Sequence, residues 1–168
     1  MPEKETLERA EQERREGKSP STQAGEFVRE EMHHIREGKH GASSTKQAIA
    51  IGLSKARRAG VKLGAPKSGS ATPEVREKAA RDLRRGQSGT RKTSVRRSRA
   101  VTRALKREGH SAASPKNLSR QARNASGSRS ATNRHQAAEK AVRTKGNTGL
   151  KRAAQKAART RVAERRAA

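Results

Sequence analysis

Five residues in one short stretch have the types and spacings that a metal or acid–base centre requires: Glu30, His33, His34, Glu37 and His40. Glu30/His33 and His34/Glu37 are i, i+3 pairs, which places a carboxylate and an imidazole on one side of a helix. A di-metal carboxylate centre needs further glutamate-bearing helices, and the sequence offers none. On a helical wheel His33 falls beside Glu26, Glu30 and Glu37, which reads as a solvated polar face. The expectation is therefore no metal site and no cofactor. An enzyme is not expected either. The chain has no phosphate-cradling glycine loop, no nucleophile elbow and no cleft-forming core to shift a pKa. Cysteine is absent, which excludes disulfides and thiolate chemistry.

The second set of chemistry-bearing residues is far larger, and it is cationic. Lys46, Lys55, Arg57, Arg58 and Lys62 form a first group. Arg91, Lys92, Arg96, Arg97, Arg99, Arg103, Lys106 and Arg107 form a second. Arg120, Arg123, Lys151, Arg152, Lys156, Arg159, Arg161, Arg165 and Arg166 complete the candidate phosphate contacts. Arginine offers a planar fork suited to bidentate phosphate contacts. An ordinary solvated surface mixes both signs of charge, and here the acids are nearly missing.

The charge is sorted along the chain. Ten of its 16 acids lie within residues 1–37, beside seven Lys or Arg. Residues 38–168 carry 35 Lys or Arg against six acids, a surplus of +29. Such a polycation needs a polyanion as partner. Base readout is not expected, because flexible cations mainly contact the backbone of a nucleic acid. Stacking on single strands needs aromatics, and Phe27 is the sole aromatic of 168 residues.

Leu, Ile, Val and Phe supply only 18 of the 168 residues, few enough to predict disorder in so charged a chain. Residues 1–20 form an acidic, mixed-charge, helix-prone head. Residues 21–63 have the clearest pattern. Thr22 is read as the cap of a helix running to Glu37, with Ala24, Phe27, Val28, Met32 and Ile35 on one arc and Glu31 intruding on it. Residues 38–43 connect to a second helix, which opens with Ser44 and Gln47 as a capping box. Its apolar face is Ala48, Ile49, Gly52, Leu53 and Ala56, and Val61 and Leu63 fold back on it. Together these make an αα-hairpin. A helix-turn-helix is disfavoured by the length of the connection and the lack of a third supporting helix. Residues 64–73 read as a linker, and 74–168 as a basic Arg-, Ala- and Ser-rich tail of short, frayed helices.

The block STKQAIAIGLSKARRAG, from Ser44 to Gly60, with Glu26-Phe27 and Gly38-Lys39 upstream, resembles a family of small basic bacterial proteins of unknown function. Some of these are labelled DNA-binding or plasmid-stabilisation-like. The tail is similar in composition to histone-like tails. The resemblance brings no catalytic residues with it.

The expected fold is thus mostly α, with extensive disorder and no sheet. The expected function is sequence-independent nucleic-acid binding by phosphate neutralisation, histone-like and nucleoid-associated, with double-stranded DNA as the leading partner. One alternative is an RNA- or ribosome-associated basic protein. Another is a hairpin, 21–63, that binds a protein or itself, with the tail as a localiser. No apolar run approaches transmembrane length, so no membrane insertion and a cytoplasmic location are expected.

Overall fold

The computed structural model describes residues 2–89 and 94–166, without the side chains of Arg165 and Arg166. Those residues form seven α-helices and a short 3-10 turn, with no strand. The chain divides into two compact units, 1–121 and 122–168.

The first unit is built on the expected hairpin. Helix α2 (Pro20–Arg36) buries Ala24, Phe27, Met32 and Ile35, and helix α3 (Thr45–Arg58) buries Ala48, Gly52 and Ala56. Helix α2 starts before Thr22, because Pro20 takes the first helical position, where its missing N–H costs nothing. The cap of α3 is as expected in part. The Gln47 amide donates to Ser44 Oγ at 3.1 Å, while the Gln47 side chain reaches back one residue further, to the Ser43 amide at 2.7 Å. The two helices cross closely at Gly52. A Cβ there would lie 2.7 Å from Val28 Cα, so only glycine allows this approach.

The helical head also joins this unit. Helix α1 (Lys4–Arg15) packs on α2 and buries Thr6 and Ala10, while Leu7 stays 41% exposed. Thr6 rather than Leu7 therefore joins Ala10 on the packed face. Arg9 Nε donates to Glu26 Oε2 at 2.7 Å and fixes that orientation.

Two small apolar clusters form. Ala10, Ala24, Phe27, Ala56 and Val61 make one, with Leu53 and Leu63 against it. Met32, Ile35, Ala42, Ala48, Ala112 and Ala113 make the other, with Val28, Ile49 and Leu118 against it. The second cluster draws on residues far down the chain. The amides of Gly41 and Ala42 donate to the carbonyls of Leu105 and Gly109. Thr45 Oγ1 donates to the Ala112 carbonyl at 2.7 Å, and Arg36 Nε to that of Ala113 at 3.0 Å. The 3-10 turn Ser111–Ala113 thus docks on the hairpin.

Helix α4 (Pro73–Gln87) packs on α3, with Ser54 Oγ donating to Asp82 at 2.6 Å. Helix α5 (Val95–Lys106) buries no residue. Helix α6 (Pro115–Gly127) begins in the first unit. The second unit holds α7 (Ala131–Arg166), two helical stretches merged across a kink at Gly146, whose φ of 61° and ψ of 175° lie outside the helical region.

Extensive disorder was expected through the tail, whereas the structure gives helix over most of its described residues. The physical reason is local. Ala, Arg, Lys and Gln are strong helix formers, and the scarcity of core residues limits packing rather than backbone conformation.

Candidate functional site

The cations fall into two classes by what surrounds them. In the first unit Lys46, Arg58 and Lys62 are exposed. Arg58 Nε donates to the Ser54 carbonyl and stands 3.9 Å from Asp82 Oδ1. Arg96, Arg97, Arg99, Arg103, Lys106 and Arg107 are all exposed, and none of them makes an ion pair among the described residues. At about 100° per residue, Arg96, Arg99, Arg103 and Lys106 fall within about 80° on α5. They form a cationic stripe about 15 Å long. Arg120 and Arg123 are exposed on α6. In the second unit Lys151, Arg152, Lys156, Arg159 and Arg161 are exposed on α7, where Arg152, Lys156 and Arg159 share one face. Arg91 and Lys92 lie outside the described residues, as do the side chains of Arg165 and Arg166.

Two candidates point inward instead. Arg57 is 6% exposed, and it donates from Nε to the Leu63 carbonyl and from a terminal nitrogen to that of Gly64. It clamps the chain that folds back after α3. Burial pulls its pKa below the usual arginine value, against the opposing pull of Asp82. Lys55 is committed to acids on α2, with Nζ 2.6 Å from Glu31 Oε2 and 3.4 Å from Glu30 Oε1.

That pairing belongs to a buried ionic cluster. Glu31 is fully buried and Glu30 is 4% exposed. His40 Nε2 lies 3.3 Å from Glu31 Oε1. His34 Nε2 lies 2.8 Å from Glu3 Oε1, and its Nδ1 lies 3.9 Å from Glu30 Oε1. Glu3 also accepts from Lys39 Nζ at 3.1 Å, and its own amide donates to Glu30 Oε2. Hydrogen bonds from His34 and then Lys39 hold the Glu3 carboxyl at about 2.

The i, i+3 pairs that stood out in the sequence are not the ones that converge. His33 and Glu37 are exposed, in keeping with a solvated face. Glu30 and His34 are buried, so the polar-face reading does not extend to them. The residues that meet are Glu31, His34 and His40, whose candidate ligand atoms lie within 4.8 Å of one another. Glu31 was missed as a site residue, although an acid intruding on an apolar arc was its signal.

Residues 17–68 match the model of a family of unknown function, DUF6496. The match covers α2, α3 and the returning chain, so the hairpin is the shared part. It agrees with the resemblance to an uncharacterised family carried by the Ser44–Gly60 block. No curated protein and no solved structure matches the chain. Among the described residues, no helix is long and apolar enough to cross a membrane.

Proposed function

We propose that the protein binds double-stranded DNA without sequence preference, as a histone-like, nucleoid-associated protein. The observation that carries this reading is the separation of the cations. Those of the hairpin core are consumed internally, whereas those of α5 and α7 are exposed on helices that bury almost nothing. Arg152, Lys156 and Arg159 in one unit, and the α5 stripe in the other, each repeat at three- to four-residue spacing, which suits a line of phosphates. Lys55 and Arg57 drop out of the contact set, because their charge is already answered inside the fold. Their withdrawal also weakens α3 as a recognition helix, and the connection of residues 37–44 is long for a helix-turn-helix.

Phosphate neutralisation releases condensed counterions. With about 8–10 phosphates engaged, log K falls with log salt at a slope of roughly −7 to −9. Fluorescence titration of random-sequence duplex at several salt concentrations measures that slope. A flat salt dependence, or no binding at low salt, overturns the proposal. Crosslinking in cells with DNase or RNase treatment separates DNA from RNA as the polyanion. A stoichiometric protein partner captured by the hairpin in nuclease-treated extract would assign residues 21–63 to protein contact instead.

A further inference from the structure

We infer that Glu31, His34 and His40 form a binding site for a divalent transition-metal cation of the zinc class. The proposal does not depend on nucleic-acid binding, and it reverses the sequence expectation of no metal.

The hydrogen bonds of the two imidazoles carry the argument. A carboxylate or a carbonyl oxygen can only accept, so each fixes a ring proton. His34 Nε2 faces Glu3 Oε1 at 2.8 Å, and its proton is therefore on Nε2. His40 Nδ1 faces the Gly41 carbonyl at 3.1 Å, and its proton is therefore on Nδ1. That leaves His34 Nδ1 and His40 Nε2 as the nitrogens able to ligate. They lie near carboxylate oxygens, 3.9 Å from Glu30 Oε1 and 3.3 Å from Glu31 Oε1. A ring nitrogen held this close to a carboxylate needs a positive charge between them, either a second ring proton or a metal ion. Anchoring the outer ring nitrogen on a carboxylate or backbone carbonyl is also how metal-ligating histidines are held.

Glu31 supplies an independent observation. Its side chain is fully buried, and neither carboxylate oxygen has a hydrogen-bond partner among the described residues. Lys55 Nζ stands 2.6 Å from Oε2 as an ion pair, without hydrogen-bond alignment. The ammonium takes the Oε2 side and leaves Oε1 on the side of His40. The donor set is then two imidazoles and one carboxylate, which suits zinc, nickel, copper or iron(II) rather than the oxygen-only sites of calcium or magnesium. Three protein ligands leave a further position for water or another donor. A bound ion would tie α2 to the connection of residues 37–44.

Isothermal titration of the tag-free full chain with zinc chloride, after chelator stripping, tests this. One saturable equivalent is expected. His40→Gln should weaken it at least about 100-fold, and Glu3→Gln, which loosens the outer hydrogen bond of His34 along with the Lys39 contact, about 10–100-fold. His33→Gln, on the exposed face, should leave it unchanged. Absence of a saturable equivalent, or equal uptake by His40→Gln, overturns the proposal. A readout on the unmodified chain guards against variants that do not fold. In a zinc titration followed by imidazole NMR, the signals of His34 and His40 should move, while those of His33, His110 and His135 stay in place. Equal movement of all five would also overturn it.

Discussion

Lys55 Nζ lies 2.6 Å from Glu31 Oε2, joining the two helices of the hairpin through a charge pair whose acid is fully buried. Breaking such a pair from one side leaves an uncompensated buried charge, which costs about 3–5 kcal/mol. Lys55→Met should therefore lower the urea midpoint of the chelator-treated chain sharply. Lys55→Met with Glu31→Leu should recover most of the loss, because two apolar residues need no solvation. An equal loss in the single and double variants would show that the pair is not what links these positions.

Two glycines should respond to alanine with opposite signs. At Gly52 a Cβ meets Val28 backbone at 2.7 Å, so α2 and α3 must move apart. Gly52→Ala is expected to destabilise by about 1–3 kcal/mol, as overpacking does. A Cβ at Gly25 meets nothing within 4 Å, and the residue is exposed within α2. Gly25→Ala is expected to stabilise by up to about 1 kcal/mol through helix propensity. Thermal melting of both variants measures the contrast.

Acid should loosen α1 first. Hydrogen bonding, from Arg14 before Arg15, holds the Glu11 carboxyl at about 2, and Glu3 is held at about 2 by His34 and Lys39. Both folded values lie below the unfolded value of 4.5. Their contribution is therefore present above about pH 4.5 and is lost as pH falls through about 2. Glu3 is exposed and Glu11 partly so, so the effect is small and screened by salt. Glu11→Gln should flatten the decline in helical circular dichroism across that window, and an unchanged profile would count against the assignment.

The α5 stripe should account for a definable part of the salt dependence. Replacing Arg96, Arg99, Arg103 and Lys106 with Gln should reduce the slope by about 3–4, at about 0.9 per phosphate. Arg9→Gln removes a cation already paired with Glu26 and should leave the slope as it was. If both changes alter it equally, the stripe is not a contact surface.

The tail should keep its helices on binding. Most of its described residues are already helical, so neutralising like charges three and four residues apart can add little new helix. Circular dichroism during titration with duplex DNA should change little, and a large rise in helicity would show that the free tail is less helical than this.

The hairpin was legible because its signals are periodic and local. Phe27, Met32 and Ile35 recur on one arc, and Ser44 with Gln47 marks a helix start. The docking of residues 105–113 was not legible. Its apolar contribution is Ala112 and Ala113, too small and too few to form a pattern, and its hydrogen bonds run to backbone carbonyls that any residue supplies. The ionic cluster was half legible. Glu31 broke the apolar arc visibly, but its meeting with His40 depends on how the connection after α2 turns back. Lys55 and Arg57 looked like surface cations because charge alone does not reveal direction. Lys55 turns to the acids of α2, and Arg57, about 200° round the helix, turns to the returning chain.

The bonds from Gly41 and Ala42 to Leu105 and Gly109 have a consequence for how α5 meets a ligand. The chain before α5 is held at Asp82 by Ser54, and the chain after it is held by these amides. Helix α5 is thus tethered on both sides rather than carried on a free end, and the closure entropy of that tethering is already spent in the folded state. On the proposed DNA-binding function, less freedom would remain to be lost to a phosphate backbone, so each cation on α5 should hold more tightly than its counterpart on a free chain end would.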